Sequence, residues 1–277
     1  MPNSIIGIVP AAGIARRMRP FTNVILKQLL FYGNKPIIHH ILEMFIENDI
    51  RDVIIVVKNP DSLIRKYVGH GVTFGLRVQY AFQEAPFGVG HALLCAKHLI
   101  EKSSDIKMIV QVNGDRLVRP PQILTKLVQE HLKMNALTTF LAKRVIDPSG
   151  YGVFRVKADS MQILEIVEKP LESQRKRLQL PDGKYLASAG IYVHSPKIFT
   201  YLEETEFSPK TGELQLTEAI KKAISKRLSV IATDLDCETM DFGTPHRYLM
   251  AQWKLYQSLR DDDIKRMTEE WIRLRDL

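Results

Sequence analysis

The chain has 277 residues, 45% of them hydrophobic and 25% charged, which suits a folded globular protein with enough chain for one large α/β domain or two small ones. Lys and Arg number 39 against 31 Asp and Glu, and the formal net charge of +8 at pH 7 favours anionic partners. No stretch reaches the roughly 20 apolar residues of a membrane-spanning helix, and the first residues lack the basic leader of a signal peptide. Cys95 and Cys237 stand far apart without metal-binding spacing, so neither a disulfide framework nor a zinc site is expected and a reducing cytoplasm fits.

The first stretch to organise the chain runs from Ile5 to Pro36. Ile5 to Val9, broken only by Gly7, reads as a buried strand. It runs into Pro10-Ala11-Ala12-Gly13, whose small side chains leave backbone N–H groups open to an anion. Arg16, Arg17, Arg19 and Lys27 follow and supply mobile positive charge for a polyphosphate. The spacing is neither that of a P-loop nor that of a dinucleotide fingerprint. By itself the loop equally suits a turn beside a solvated charge run.

After Pro36, apolar Ile38, Ile41, Leu42, Phe45 and Ile46 have helical spacing. His39 and His40, neighbours on different helix faces, are expected as surface or partly buried residues rather than metal ligands. Val53–Val57 reads as a strand, Asp61–Val68 as a helix and Leu76–Ala81 as a strand, an alternation that predicts a parallel sheet with right-handed crossovers. Gln83 to Ala92 then places polar and glycine residues at a strand end, ahead of an expected helix at Ala92–Leu99, where open α/β sheets hold ligands. A glutamine amide can both donate to and accept from a pyrimidine edge, and Gly88 and Gly90 would let backbone approach a flat base. Met108–Val112 is a further strand, and it ends in Asn113-Gly114-Asp115, where a carboxylate could meet a hard cation or merely form a turn.

Pro120–Met134 reads as a helix and Leu137–Ala142 as a strand. Beyond these, Val153–Val156 and Ile163–Val167 alternate like a hairpin around Ala158-Asp159-Ser160. Leu171–Tyr185 is polar and predicts a mobile surface loop that could serve as a lid. Leu216, Ala219, Ile220, Ala223 and Ile224 mark an amphipathic helix, and Leu228–Thr233 a strand. Arg247 to Leu277 reads as helices, with Ile264, Met267, Trp271 and Leu274 forming a stripe suited to packing on the domain or on a second subunit.

Read in order, these segments resemble the sugar-1-phosphate nucleotidyltransferases, also called sugar-nucleotide pyrophosphorylases. In the first segment Ala12, Gly13, Arg17, Met18, Pro20, Thr22, Lys27, Leu29, Leu30, Lys35 and Pro36 carry the likeness, while Ala11 and Ala15 stand where glycine is usual, Arg16 where threonine is usual, and Leu26 precedes the lysine. Gln83, Pro86, Gly88, His91 and Ala92 match the base-contacting segment. Tyr151-Gly152-Val153, Glu168-Lys169-Pro170, Ser188-Ala189-Gly190-Ile191-Tyr192, Gly212-Glu213 and Asp241-Phe242-Gly243-Thr244-Pro245 follow in the family's order.

The resemblance implies a Rossmann-like α/β fold with a mixed, mainly parallel sheet, a smaller β-rich sugar-binding portion and C-terminal helices. It divides the chain into a single nucleotidyltransferase domain over 1–245, with a nucleotide part about 1–142 and a sugar part about 143–245, and a helical extension over 246–277. The implied reaction joins a nucleoside triphosphate, UTP or dTTP, to a sugar-1-phosphate such as glucose-1-phosphate, releasing pyrophosphate with Mg²⁺ as cofactor. The implied catalytic residues are Arg17 for the pyrophosphate, Lys27 for the α-phosphate side and Lys169 for the sugar phosphate. Ala11, Ala12, Gly13, Gln83, Gly88 and Asp115 would bind the nucleotide. Tyr151, Gly152, Glu168, Lys169 and Gly190 would bind the sugar phosphate, and Asp115 with Asp241 the metal. Ala15, Arg16 and Leu26 keep open a second reading, a catalytically weak regulatory homologue that binds nucleotide or sugar nucleotide. The basic residues are dispersed without an aromatic-plus-basic repeat, so neither nucleic acid nor membrane is an expected partner, whereas a homo-oligomer is compatible with the resemblance.

Overall fold

The computed structural model describes residues 4–103, 105–157 and 159–274, with side chains through residue 269. Ala158 of the expected hairpin turn, and the side chains of Trp271 and Leu274 in the expected C-terminal stripe, lie outside the described residues.

The chain opens with β1 (Ile5–Pro10), passes through a loop of short 3-10 turns, and makes a small ribbon from β2 (Phe31–Tyr32) and β3 (Lys35–Pro36). An alternating run follows: α1 (Ile37–Ile46), β4 (Asp52–Val57), α2 (Leu63–Val68), β5 (Arg77–Phe82), α3 (Gly88–Glu101) and β6 (Met108–Val112). Next come β7 (Arg116–Arg119), α4 (Ile123–Lys133) and β8 (Thr138–Val145), then the hairpin of β9 (Gly152–Val156) and β10 (Ile163–Glu168). After a short α5 (Glu172–Arg175) the long β11 (Tyr185–His194) re-enters the sheet. The last elements are α6 (Ile198–Glu203), α7 (Leu216–Ser225), β12 (Val230–Asp234), β13 (Glu238–Asp241), α8 (Pro245–Ser258) and α9 (Asp261–Leu274).

β1 pairs in parallel with β4 and β6, and β4 with β5, as buried strands crossed over by helices must. Successive side chains of β1 reach opposite faces. Ile6 and Ile8 join one core against α3, α6 and α7, while Val9 joins the other against α1, α4 and α8. β11 makes the sheet mixed. It runs antiparallel to β8 along one edge, and along its other edge it pairs first with β9 through Leu186 and Ala187, then with β6 from Ile191. The register breaks between Ser188 and Tyr192, where Gly190 takes φ 79, and the sheet forks there.

The polar run Leu171–Tyr185 is less free than its composition predicts. It contains α5 and a further 3-10 turn, and Leu178 packs fully into a small cluster with Val153, Tyr185 and Ala187. α9 docks through Met267, whose side chain and carbonyl meet Gly33 and Asn34 at the turn of the small ribbon. Among the described residues, no helix is long and apolar enough to cross a membrane.

A polar chain threads the core behind β6. Gln111 Nε2 donates to Asn113 Oδ1 at 2.7 Å, which turns Gln111 Oε1 toward His194 Nε2 at 3.1 Å. His194 Nδ1 lies 3.0 Å from Thr138 Oγ1, and His131 Nδ1 lies 2.9 Å from Thr139 Oγ1. Burial pushes His131 down to about 4, and burial with the neighbouring His131 pushes His194 down to about 3. Both rings are therefore neutral in the fold while the unfolded chain protonates near pH 6.5. The stability they provide is complete above that pH and falls as pH drops toward the folded values, by about 1.4 kcal/mol per unit for each ring. Urea unfolding is thus expected to show a loss of roughly 3 kcal/mol between about pH 7 and pH 5.5, and a flat profile over that interval would refute it.

Candidate functional site

The carboxyl ends of β1, β5 and β6 open onto one cleft of about 630 Å³, and the fork in β11 forms its far wall. The loop after β1 brings Ala12, Gly13, Arg16, Arg17 and Lys27 to it, and the turn after β5 brings Gln83 and Gly88. Asn113 and Asp115 enter from β6. Tyr151, Gly152, Glu168, Lys169 and Gly190 enter from the hairpin and β11. Residues expected to serve the nucleotide and residues expected to serve the sugar phosphate therefore share one cavity. Ala11 is buried beneath the loop, where its N–H donates to the Val56 carbonyl at 2.8 Å. Asp241 lies just behind the cleft surface, beside the lining residue Gly243.

In the loop after β1, Ala15 holds φ 52 and ψ 43, a left-handed conformation that explains why glycine suits the position. Its carbonyl accepts from Met18 N at 2.9 Å and Thr22 Oγ1 at 3.1 Å, bonds that hold the turn despite the methyl group. Gly13 has open space where a Cβ would stand. Gly13→Ala is therefore expected to leave the fold and melting temperature unchanged while weakening triphosphate binding by about tenfold, through a methyl group set against the phosphates. Titration calorimetry beside a thermal melt checks both halves, and unchanged affinity would refute the loop's role.

Gly88 lines the cleft, and close packing also requires glycine at both Gly88 and Gly90. A Cβ on Gly88 would lie 2.9 Å from the Leu214 carbonyl oxygen, and one on Gly90 would lie 2.7 Å from it. Both positions need glycine because α3 begins at Gly88 and crosses the 213–214 segment closely, sealed by Gly90 N to Leu214 O at 3.0 Å. Gln83 Nε2 donates to the Gly88 carbonyl at 2.9 Å and toward His91 Nδ1 at 3.1 Å. Its amide oxygen is thereby turned away from these partners as an acceptor.

The two aspartates meet through a second, short ribbon. β7 and β13 pair antiparallel with Arg116 opposite Asp241, and Phe242 N donates to the Asp115 carbonyl at 3.0 Å. Lys27 Nζ donates to Asp115 Oδ2 at 2.6 Å. Arg116 reaches both acids, with Nε 3.3 Å from Asp115 Oδ1 and Nη1 against Asp241 Oδ2. Arg247 Nη1 shares that Asp241 oxygen at 2.5 Å, and Gly243 N donates to Asp241 Oδ1 at 2.8 Å. Thr244 aims Arg247 by capping α8, its hydroxyl accepting from Arg247 N at 3.3 Å. Tyr151 lies between Lys143 Nζ, 4.3 Å from its ring centre, and the Arg247 guanidinium, 4.7 Å from it. Burial, then the charges of Arg116 and Arg247, push Lys143 down to about 8, with Asp241 opposing them.

Comparison with known proteins follows from this geometry. The profile of the nucleotidyl transferase family matches residues 6–258. The chain belongs to the nucleotidyl transferase family. A mannose-1-phosphate guanyltransferase of Yarrowia lipolytica is 28% identical over 254 residues, covering 91% of this chain and 64% of that protein. A glucose-1-phosphate thymidylyltransferase of Streptomyces griseus is 30% identical over 236 residues, covering 85% and 62%. This chain thus spans a little under two thirds of these relatives' length. A crystal structure of UDP-glucose pyrophosphorylase with UDP-glucose shares the fold with a TM-score of 0.77 at 24% identity, covering 92% of this chain and 99% of that one.

Against its family's motifs, this nucleotidyl transferase carries cations that the sequence does not announce: Arg116, Lys143 and Arg247. Arg116 meets Asp241 only across the β7–β13 ribbon, and Arg247 meets Asp241, six residues before it, only once α8 turns away from β13. The one local sign is Arg116 itself, a cation directly after Asp115.

The expected Mg²⁺ does not fit this donor set with these side chains in place. Three of the four carboxylate oxygens of Asp115 and Asp241 accept N–H donors, the fourth, Asp115 Oδ1, lies 3.3 Å from Arg116 Nε in an ion pair, and three cations, Lys27, Arg116 and Arg247, stand against two anions. Burial opposes ionisation of Asp115, but Lys27 and Arg116 hold its carboxyl well below the usual range. Burial likewise opposes ionisation of Asp241, and Arg116 outweighs it. A divalent ion about 4 Å from a guanidinium would meet repulsion on the order of 8 kcal/mol at an effective dielectric near 20.

Proposed function

We propose that this protein joins a nucleoside triphosphate to a sugar-1-phosphate, releasing pyrophosphate. The observation that carries the reading is the single cleft in which Arg17, Lys27 and Asp115 face Glu168, Lys169 and Gly190, with Gln83 at the end of β5. An oxygen of the sugar phosphate attacks the α-phosphorus. The new P–O bond forms as the bond to the β-bridging oxygen breaks, and pyrophosphate leaves with the electron pair. Such transfer asks mainly for positioning and neutralised charge. Arg17, with its side chain open to the cleft, takes the departing pyrophosphate. Lys27 gives one N–H to Asp115 and keeps two for the α-phosphate. Lys169 holds the incoming sugar phosphate against the repulsion of the triphosphate. Glu168, opposite Gly152 on the paired strands, accepts from sugar hydroxyls.

The Gln83 amide also supports a base preference. With Nε2 spent on the Gly88 carbonyl, Oε1 accepts an N–H. Uracil and thymine offer N3–H and guanine N1–H, whereas cytosine and adenine present a lone pair there. UTP or dTTP with glucose-1-phosphate is the leading substrate pair, and the guanyltransferases among the relatives favour GTP with mannose-1-phosphate as the second. Pyrophosphate release over UTP, dTTP, GTP, CTP and ATP, each with both sugar phosphates, tests the reading. Turnover with a keto base and at least about tenfold less with CTP and ATP is expected, and Gln83→Leu should erase that ratio. Tight binding of these triphosphates with no release from any pair would favour the regulatory homologue instead.

A further inference from the structure

We infer that the Arg116 guanidinium is the resident cation of the two-aspartate site, standing between Asp115 and Asp241 so that a nucleoside triphosphate binds there without a divalent ion. The inference rests on the nucleotide reading above and names the cation that reading needs.

Arg116 lines the cleft while its buried Nε and Nη1 stand in ion-pair contact with the two carboxylates, one on the turn after β6 and the other at the end of β13, without either N–H settling into a hydrogen bond. The surroundings are built to admit it. Gly190 stands at φ 79 in the fork of β11, and a Cβ there would fall 2.8 Å from Arg116 Cγ and 3.0 Å from Nε. Glycine at that position therefore leaves the corridor along which the arginine side chain runs. The β7–β13 ribbon sets Arg116 and Asp241 opposite each other in register. A guanidinium presents five donors in a fixed plane and cannot be deprotonated, so it can hold two carboxylates and still offer N–H groups to phosphate oxygens. Its charge is fixed by covalent attachment, so no chelator can remove it.

Removing Arg116 leaves each acid one cation, Lys27 for Asp115 and Arg247 for Asp241, so neutral variants are expected to fold. The test titrates UTP, dTTP and GTP by calorimetry into wild type, Arg116→Met and Arg116→Ala, in EDTA and in Mg²⁺, with a thermal melt for each protein. Wild type should bind its preferred triphosphate in EDTA within about threefold of its affinity in Mg²⁺. Both variants should bind at least about tenfold more weakly in EDTA and regain affinity with Mg²⁺. A second arm uses Mn²⁺ alone, followed by electron paramagnetic resonance. Folded variants should take up an ion up to about 1 mM where wild type takes none. The inference is overturned if wild type loses about tenfold in EDTA, if it takes up Mn²⁺ that Asp115→Asn abolishes, or if the folded variants take up none. Should no triphosphate bind any of the proteins, the nucleotide reading fails, and the Mn²⁺ arm still decides whether Arg116 holds the cation position.

Discussion

Lys169→Ala is expected to lower turnover by about 10² to 10³ with the fold intact, the usual consequence of removing one preorganised charge at a phosphoryl-transfer centre. The side chain is exposed to the cleft, and among the described residues no carboxylate pairs with it. Truncation therefore strands no buried partner. The backbone holds the residue at φ 47, with its N–H donating to the Tyr151 carbonyl at 2.9 Å. Alanine tolerates that left-handed conformation no better and no worse than lysine, so the variant isolates the ammonium group. Pyrophosphate release, with kcat and KM resolved for each substrate, provides the check. If Lys169 neutralises the incoming sugar phosphate, triphosphate affinity stays constant while the sugar-phosphate terms collapse. Turnover within a few-fold of wild type would sink the assignment.

Asp241→Ala is expected to damage stability as well as activity. The motif alone suggests that this acid can be removed with the fold untouched, but the structure gives a different outcome. The Asp241 side chain is 5% exposed, and its Oδ2 holds both Arg116 and Arg247. Deleting it leaves Arg116 sharing Asp115 with Lys27, and leaves Arg247 without its carboxylate hydrogen bond, against the Tyr151 ring. Breaking a buried charge network from one side costs about 3–5 kcal/mol. For a chain of this size the melting temperature should fall by on the order of 10 °C. Asp241→Asn keeps an acceptor for Gly243 N and should lose less. A melt of Asp241→Ala within about 2 °C of wild type would show that the two arginines do not depend on it.

The parallel half of the sheet was legible because its strands are buried on both faces and announce themselves locally. Met108–Val112 falls where its apolar run predicts, and β4 adds only Asp52 to the expected Val53–Val57. The helix after Gln83 starts at Gly88 rather than Ala92, because close contact with the 213–214 segment draws the glycines into its first turn. Leu171–Tyr185 reads as free because it is polar, yet one apolar residue, Leu178, anchors it. The short ribbon of β7 and β13 was hidden, since strands of four residues carry too little periodicity to register.

Sequence determined which side chains could serve a triphosphate and in what order they arrive, because strand ends, glycine turns and basic loops are local features with local causes. Tertiary structure decided which charges meet. Residues 116, 241 and 247 come together only when β13 folds back on β7 and α8 turns from its Thr244 cap. Coulombic pairing depends on distance through space, and the order of residues along the chain does not encode that distance.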